Sequence, residues 1–566
     1  MMCALLEKTW QIANPIPASV SEELSAYSPV LRQLLFNRNI FTADEATKFI
    51  NPDFPSPDPF QLIDMDKAVE RILTAIREQQ KIAVYGDYDA DGVTATVLLT
   101  EALLEIGAQA MPYIPNRFDE GYGLNIEALD MLAKKGIELV ITVDCGIRSI
   151  HEAEHAKKIN LDMIITDHHD PGDTLPPAYA NICPKRIADP YPEKMLSGVG
   201  IAYKLTEALV QQTGLYVEVS QWLDLVALGT VADIVPLTGE NRKFVALGVQ
   251  EIHKGKRIGL RALCGAAGLQ NLQAISARDI GFMIAPRINA AGRLESASLA
   301  MDLLLCDEVD RAAELAQHLD DLNRQRQSLT RQIQETAETL AVEEQNEHFM
   351  FAVSETFNMG IVGLAASRLV DTHYRPAVVG AIGEEFTRAS CRSIPELHIT
   401  WVLDQVADLL VQHGGHAMAA GFTVRNDQVS ELYQKMSQII SDELREQTLK
   451  PLLSADMEIQ LSELHPSILD DIAKLEPCGQ QNPPVYFVSR NLIVRNYRII
   501  GRDRSHLKLT VSDGKITYDV IAFGKGEWAQ SMPEKIDLLY AFERNSYNGR
   551  TSLQLQARDI KPAQES

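Results

Sequence analysis

The sequence has no long apolar run, few cysteines and no closely paired cysteines. In its 566 residues, no apolar stretch reaches the ~20 residues that a membrane-spanning helix needs. The N-terminal stretch MMCALLEKTWQ lacks both a basic region and a long apolar region, so we expect no secretory signal peptide. The seven cysteines are scattered and include no CxxC pair, which argues against a zinc ribbon or a disulfide framework. These absences predict a protein of a reducing compartment, the cytoplasm.

Positive charge is also scarce. The chain has 53 Lys and Arg against 77 Asp and Glu, a formal net charge of −24. A nucleic-acid-binding protein usually shows a basic footprint, but net charge bears on solubility and long-range steering rather than on a particular site. A polyanion site would therefore need a local basic lining, helped by bound metal. The length is sufficient for three or four domains.

The most informative stretch is Lys81–Gly92, which reads KIAVYGDYDADG. A short apolar run suited to a buried strand breaks at Gly86 into three carboxylates at alternate positions, Asp87, Asp89 and Asp91. Burying such acids without compensation costs several kcal/mol each. A divalent cation such as Mg²⁺ or Mn²⁺ is the simplest compensation. A solvated acidic turn is the alternative, but the position between a strand and a helix favours a metal site.

Two further predicted strands also end in residues that can bind a metal. ELVITVDCG ends at Asp144, and LDMIITDHHD ends at Asp167, His168 and His169. Strand and helix alternate through this region, which predicts a doubly wound parallel sheet. Because the carboxyl ends of parallel strands lie on one edge, we expect these side chains to converge.

Later segments add weaker candidates. Asp233 lies in the apolar stretch WLDLVALGTVADIVPL and is interpreted as a ligand, with an N-cap as the alternative. APRINAAGRLESA places Arg287, Asn289 and Arg293 among small residues. This pattern fits either a surface helix start or a set of groups suited to phosphate.

The remainder of the chain predicts a spacer helix and two further modules. Residues 309–345 contain no Gly or Pro and are polar all round except for spaced Leu and Ile, which indicates a helix of roughly 50 Å between domains. A coiled-coil dimer is the alternative, but the apolar repeat is short. A second α/β module follows. It holds Ser390 and Arg392, interpreted as lying after a strand and suited to a terminal phosphate, and Gly414-Gly415-His416, where a ligand could approach the backbone. Ordinary turns are the alternative for both.

The last hundred residues alternate apolar and polar positions, and turns such as Asp513-Gly514 and Asn548-Gly549 separate the segments. They predict a small barrel of the OB type with groups for single-stranded nucleic acid. These groups are Arg495, Tyr497, Arg498, Arg502, Arg504 and Lys508. The predicted domains are 1–308 (an N-terminal extension plus a parallel-sheet domain), 309–345 (helix), 346–450 (second α/β domain) and 451–566 (barrel).

Taken in order, the motifs resemble those of the DHH phosphoesterase superfamily and, within it, the bacterial RecJ exonucleases. The matching pieces are DYDADG (87–92), VDCG (143–146), TDHH (166–169), GTVADIVPL (229–237), NAAGRL (289–294), SCRS (390–393) and GGHAMAAG (414–421). The acidic form of the first motif, without an upstream histidine, argues against the polyphosphatase and pyrophosphatase branches.

The resemblance implies a metal-dependent 5′-to-3′ exonuclease of single-stranded DNA, acting in DNA repair and recombination with two Mn²⁺ or Mg²⁺ ions. The implied metal ligands are Asp87, Asp89, Asp91, Asp144, His168 and Asp233. The implied catalytic residues are Asp89, Asp91, Asp144, His169 and Arg293. The implied substrate contacts are Arg117, Arg287, Asn289, Ser390, Arg392 and His416. A single-strand-binding protein and a helicase are possible partners.

Three alternatives stay open at this point. A phosphodiesterase of short oligonucleotides or cyclic dinucleotides would use the same chemistry, although the terminal barrel argues against it. A catalytically inactive DNA-binding scaffold would be expected to lack motif acids, and none is missing. The sequence His151-Glu152-Ala153-Glu154-His155 matches a zinc-peptidase pattern but has no evident third ligand, so a solvated helix face is preferred.

Overall fold

A computed structural model describes residues 7–116, 123–343, 346–501, 504–547 and 550–563. The chain forms two compact units. The larger unit comprises Trp10–Pro286, Ala300–Ala313 and Leu453–Ser566, and the smaller one comprises Met1–Thr9, Arg287–Leu299 and Glu314–Leu452. None of the helices formed by the described residues combines the length and the apolar character that crossing a bilayer requires.

The N-terminal segment is mainly helical. Its elements are β1 (Thr9–Ile12), α1 (Ala18–Glu23), α2 (Pro29–Phe36), α3 (Ala43–Ile50) and α4 (Met65–Arg77). Local signals start these helices: Ser28 accepts a hydrogen bond from the Leu31 amide, and Thr42 and Glu45 form a capping box.

A five-stranded parallel sheet follows, as the alternating pattern predicted. Its strands and connecting helices are β2 (Lys81–Gly86), α5 (Ala90–Glu105), β3 (Gln109–Tyr113), α6 (Ile126–Lys134), β4 (Ile137–Val143), α7 (Ile150–Lys158), β5 (Asp162–Thr166) and β6 (Ala180–Ile182). The spatial order is β3-β2-β4-β5-β6, and every neighbouring pair is parallel. The strand order reverses between β2 and β4, which is the position where open α/β sheets bind ligands.

Helices predominate in the next part of the chain. They are α8 (Gly198–Thr213), α9 (Leu223–Ala232), α10 (Gly239–Lys254), α11 (Ile258–Ala266), α12 (Ala277–Asp279), α13 (Ala285–Leu294), α14 (Ser298–Leu305) and α15 (Val309–Glu343). The long helix α15 confirms the helix predicted at 309–345. It is not a spacer solvated on every side, because the polar side chains of Asp320, Asn323 and Thr330 are buried, as are apolar residues such as Ile333.

The second α/β module lies in the smaller unit. Its elements are β7 (Met350–Ser354), α16 (Val362–His373), β8 (Ala377–Ile382), β9 (Phe386–Arg392), α17 (Ile399–Gln405), β10 (Leu410–Gly415), β11 (Ala419–Arg425) and α18 (Val429–Leu444). The sheet order is β10-β11-β9-β8-β7, with β7 and β8 parallel and the other neighbours antiparallel.

The C-terminal part forms the predicted OB-type barrel. Its elements are β12 (Leu452–Ala455), β13 (Met457–Glu458), α19 (Pro466–Ala473), β14 (Phe487–Ile500), β15 (His506–Ser512), β16 (Thr517–Ala522), β17 (Lys535–Tyr547) and β18 (Arg550–Pro562). Pairing runs β14-β15-β16-β18-β17 and returns from β17 to β14, which closes five strands. The predicted turn at Asn548-Gly549 lies outside the described residues.

The barrel shares its core with the N-terminal helices. Buried side chains of Leu24, Leu31 and Leu34 belong to the same apolar cluster as Leu507 and Val520 of the barrel. The segment interpreted from sequence as a mere extension therefore helps to bury the barrel in the larger unit.

Candidate metal centre

The first acidic motif is a tight junction between β2 and α5. Asp89 caps α5, and its Oδ1 accepts hydrogen bonds from the amides of Asp91 (2.9 Å) and Gly92 (3.1 Å). A Cβ at Gly92 would lie 2.6 Å from the Asp87 carbonyl oxygen and 2.7 Å from its amide nitrogen. Glycine thus allows the backbone to fold back closely, so that Asp87, Asp89 and Asp91 all lie at the end of β2.

Asp144 directly follows β4, the neighbour of β2. Its φ is +62°, a left-handed conformation that costs a non-glycine residue free energy and is typical of functional sites. Carboxylate oxygens of Asp87, Asp89 and Asp144 lie within 4.8 Å of one another. The switch point between β2 and β4 thus carries three convergent acids.

The end of β5 supplies two histidines in different states. Asp167 accepts hydrogen bonds from the amides of Ile147 (2.9 Å) and His169 (3.0 Å), and its Oδ1 lies 2.7 Å from Nδ1 of His169. Burial opposes the charge on both groups, but the hydrogen bonds between them outweigh it. The pKa of Asp167 is therefore lowered and that of His169 is raised to about 9. His169 is a partly exposed imidazolium at neutral pH.

Two helices complete the cluster. Asp91 accepts hydrogen bonds from the amides of Gly198 (2.7 Å) and Val199 (2.9 Å) in the first turn of α8. Asp233 follows the last turn of α9, where it is a C-cap and not the N-cap considered as an alternative. Ligand atoms of Asp91, His168 and Asp233 lie within 4.8 Å of one another, as do those of Asp144, His168 and His169.

The electrostatics of this cluster are unfavourable without a cation. Burial, followed by repulsion from neighbouring carboxylates, raises the pKa of Asp91 and Asp144 well above the usual value. Burial, followed by repulsion from Asp89, raises the pKa of Asp233 to about 7. Burial, then the charge on His169, lowers the pKa of His168 to about 3. His168 is therefore neutral and offers lone pairs rather than positive charge.

One contact tests directly whether a metal fits. Nε2 of His168 lies 3.1 Å from Asp144 Oδ1 and 3.4 Å from Asp233 Oδ2. The geometry is not that of a hydrogen bond, and within the described part of the chain neither Nε2 nor Asp144 Oδ1 has a hydrogen-bond partner. Buried polar atoms of this kind are costly unless something else satisfies them. Oxygen and imidazole donors of this type fit Mn²⁺ or Mg²⁺.

Three parts of the chain match known protein families. Residues 81–230 match the DHH family N-terminal domain, 346–442 the DHHA1 domain and 455–559 the RecJ OB domain. The chain is 36% identical to the single-stranded-DNA-specific exonuclease RecJ of Bacillus subtilis, over 97% of this chain and 70% of the relative. The chain belongs to the RecJ family.

Further RecJ proteins match over nearly their whole length. The RecJ of Escherichia coli is 35% identical, over 94% of this chain and 96% of the relative. The crystal structure of Thermus thermophilus RecJ in complex with Mn²⁺ has a TM-score of 0.85 and 28% identity, and the match covers 98% of this chain and 80% of that one. The fold class expected from the sequence is thereby confirmed.

The remaining predicted site residues that the structure describes lie in the smaller unit. Arg287, Asn289 and Arg293 lie on α13, which begins just before the unit boundary, and His416 lies in the turn between β10 and β11. The sequence interpretation placed Ser390 and Arg392 after a strand, and this is wrong. They lie within β9, on one face, because residues two apart in a strand share a face. Arg117 lies outside the described residues.

Arg392 is held in a defined position. Its Nε donates to Ser367 Oγ (3.1 Å) and its Nη1 to the Cys391 carbonyl (2.8 Å). A Cβ built on Gly363, in the first turn of α16, would lie 3.1 Å from Arg392 Nη2 and 3.3 Å from Ser390 Oγ. The guanidinium, the hydroxyl and the start of a helix thus lie together, an arrangement suited to an anion.

Sequence reasoning missed two parts of the metal centre. It did not identify the α8 amides that hold Asp91, although Ser197-Gly198-Val199-Gly200 is a recognisable helix start. It counted Asp167 among the strand-end residues that can bind a metal, whereas Asp167 instead orients His169 and holds its proton. The His151–His155 pattern lies on α7, where His155 Nε2 pairs with Asp130 at 2.7 Å.

Proposed function

We propose that this chain is a metal-dependent exonuclease that hydrolyses phosphodiester bonds of single-stranded DNA from the 5′ end, with two Mn²⁺ or Mg²⁺ ions. The observation that carries the proposal is the set of three overlapping ligand groups at the switch point, with a neutral, buried His168 facing Asp144. Relatives about 35% identical over nearly the whole chain are named single-stranded-DNA-specific exonucleases. Solved RecJ structures contain Mn²⁺ or Mg²⁺.

The three groups indicate how the ligands divide between two ions. Asp87, Asp89 and Asp144 would hold one ion, and Asp91, His168 and Asp233 the other. Asp144 would serve both, because its Oδ1 also faces His168 Nε2. The α8 amides fix the Asp91 carboxylate and leave lone pairs on both oxygens for a metal.

Each remaining polar group has a role in the hydrolysis. Divalent cations held by these ligands would supply a water of lowered pKa and would neutralise charge on the phosphate oxygens. His169 keeps its proton through Asp167 and can donate a hydrogen bond to the phosphoryl group or the leaving oxygen. We assign to Arg293 the same task of donating hydrogen bonds to the phosphoryl group or the leaving oxygen.

The substrate contacts are proposed on chemical grounds. Ser390 and Arg392, beside the start of α16, would bind the terminal 5′ phosphate. Arg117, Arg287, Asn289 and His416 would contact the rest of the strand. The barrel presents Arg495 to Arg498 as exposed residues of β14, which suits a strand without base specificity. An exposed nucleic-acid face of this kind argues against the alternative of an enzyme for cyclic or very short substrates.

The other proposals follow from the activity. The domain boundaries predicted above are retained. DNA repair and recombination are the processes that require such an activity. A helicase would supply single strands, and a single-strand-binding protein would occupy the same substrate.

Asp144→Asn is the test of the metal centre. Because Asp144 belongs to both ligand sets, we expect hydrolysis of a 5′-phosphorylated, 5′-labelled 40-mer with Mn²⁺ to fall at least ~10³-fold. His151→Ala, on the exposed face of α7, is the control and should retain full activity. Activity of Asp144→Asn near that of the unaltered protein would disprove the site. Loss of hydrolysis in His151→Ala would mean that the His151–His155 segment takes part in the activity. Preference for dinucleotides over 40-mers would favour the alternative function.

A further inference from the structure

Two arginines outside every predicted site form a cluster with two that were predicted. The arginine cluster consists of Arg287 and Arg293 on α13, Arg326 on α15 and Arg368 on α16, all in the smaller unit. Arg326 is partly buried, and the charges of Arg293, Arg368 and Arg287 act on it. A chain of net charge −24 therefore concentrates positive charge at this point.

Apolar packing holds these three helices together. Ile333 of α15 and Ala365 and Leu369 of α16 belong to one buried cluster, and the partly buried Leu294 of α13 and Leu329 of α15 pack against it. The guanidinium groups thus project from a fixed framework, and they cannot move far apart to relieve their repulsion. Such positive charge within a packed module is unfavourable unless an anion compensates it.

Two acids lie close to the arginine cluster, Asp320 and Asp371. Asp320 is 2.7 Å from Arg287 Nη2 and 2.6 Å from Arg324 Nη2, so two guanidinium groups share one carboxylate. Asp371 lies near Arg368, yet burial keeps the pKa of Asp371 raised despite that cation. Arg326 Nε is buried and has no hydrogen-bond partner among the residues that the structure describes.

Arg326 has the electrostatic signature of an uncompensated cation. Burial, then repulsion from Arg293, Arg368 and Arg287, lowers its pKa to about 10. It stays protonated at neutral pH, so the cluster carries its full positive charge there. Asn323, one helical turn before Arg326 on α15, is also buried, and its Oδ1 lacks a partner within the described ranges. This helix face is therefore polar, buried and only partly satisfied.

We propose that Arg326 and Arg368 bind phosphates of the DNA strand under degradation, and that they extend a contact surface begun by Arg287 and Arg293. The inference rests on the proposed function, since it takes single-stranded DNA as the ligand. A run of phosphodiesters matches the cluster because several fixed cations need several linked negative charges. Guanidinium groups suit phosphate oxygens through paired N–H donors.

The experiment compares Arg326→Gln and Arg368→Gln with Arg331→Gln, an exposed arginine on the same helix α15. Binding of a fluorescent 20-mer is measured in EDTA, where no hydrolysis occurs, between 50 and 300 mM salt. We expect each cluster variant to bind about 10-fold more weakly and to lower the slope of log K against log salt by roughly 0.7 per lost phosphate contact. Arg331→Gln should match the unaltered protein, and Arg326→Lys should recover most of the slope.

A scan of single methylphosphonate linkages gives a second readout. The unaltered protein should lose affinity when the neutral linkage occupies the position that the cluster contacts, and Arg326→Gln should lose none there. Unchanged affinity and slope in both glutamine variants would overturn the proposal. Failure of the unaltered protein to degrade DNA with Mn²⁺ would instead overturn the proposed function, so the two failures are distinguishable.

Discussion

At the scale of single residues, the acids of the metal centre are in conflict with folding. Asp91, Asp144 and Asp233 are buried next to one another, and each has a raised pKa because burial and mutual repulsion disfavour the charged form. Asp144 also adopts a left-handed backbone conformation. Conflicts of this kind are expected where binding, rather than stability, determines the residue.

Asp233→Asn is predicted to stabilise the metal-free protein, increasingly so as the pH rises. The pKa of Asp233 is about 7 in the folded protein, against 3.8 for an Asp in the unfolded chain. Between these values the folded state keeps a proton that the unfolded chain releases. The free energy of unfolding therefore falls with rising pH, by roughly 1 kcal/mol per pH unit, and the loss is complete above pH 7. Asn removes this loss.

Melting temperatures in EDTA at pH 4.5, 6, 7 and 8 measure the effect. The variant should match the unaltered protein at pH 4.5 and melt several degrees higher at pH 8. With saturating Mn²⁺ the order should reverse, because only the unaltered protein gains the full binding energy. A difference independent of pH would show that Asp233 does not hold its proton in the folded state.

At the scale of elements, the start of α8 organises the centre as much as the acidic strand ends do. Its first amides hold Asp91, and its first residue lies against Asp144. A Cβ built on Gly198 would lie 2.5 Å from the Asp144 Cβ and 2.6 Å from Oδ1. The close approach of α8 thus requires glycine at this position.

Gly198→Ala should therefore displace Asp144 while the fold persists. We expect at least ~100-fold loss of activity and weaker Mn²⁺ binding by calorimetry, because ångström-scale misplacement of a ligand is costly. Gly200→Ala in the same turn is the matched control, since its Cβ would lie 3.2 Å from Ser197 Oγ and at ordinary contact distance, 3.6 Å, from Leu196 Cβ. Equal behaviour of the two variants would refute the role of this contact.

At the scale of the whole molecule, sequence reasoning succeeded where local order determines the structure. The strands β2, β4 and β5 each end in the residues that later converge, so a parallel sheet was enough to predict that Asp87, Asp144 and His168 meet. Contacts between distant segments were not predictable in this way. Local patterns carry no information about which buried surface a distant helix covers.

The N-terminal segment is the clearest example of this limit. Its leucines complete the core of the barrel, more than 400 residues away in sequence. Arg242 of α10 is another case. Its guanidinium donates hydrogen bonds to the carbonyls of Phe49 (3.0 Å), Leu475 (2.9 Å) and Glu476 (2.7 Å), among others. It thereby joins the N-terminal helices, α10 and the segment between α19 and β14 in the larger unit.

The net charge of −24 leads to the last prediction, on how the barrel binds DNA. Arg495, Tyr497 and Arg498 of β14 are exposed, whereas Lys508 pairs with Asp519 at 3.1 Å and Arg502 lies outside the described residues. With long-range attraction absent, affinity must come from these local groups. Under the proposed function, Arg495 and Arg498 would act through phosphate charge, and Tyr497 would act through stacking on bases.

These two kinds of contact respond differently to salt. The double variant Arg495→Ala/Arg498→Ala should lower the slope of log K against log salt by roughly 1.4, about 0.7 for each phosphate lost. Tyr497→Leu should weaken binding of a 20-mer by about 10-fold or more and leave the slope unchanged, because stacking releases no counterion. Lys515→Ala, at the exposed turn after β15, serves as the control. An unchanged slope in the double arginine variant would mean that Arg495 and Arg498 do not contact the DNA backbone. The phosphate contacts would then have to come from other groups, such as the arginine cluster.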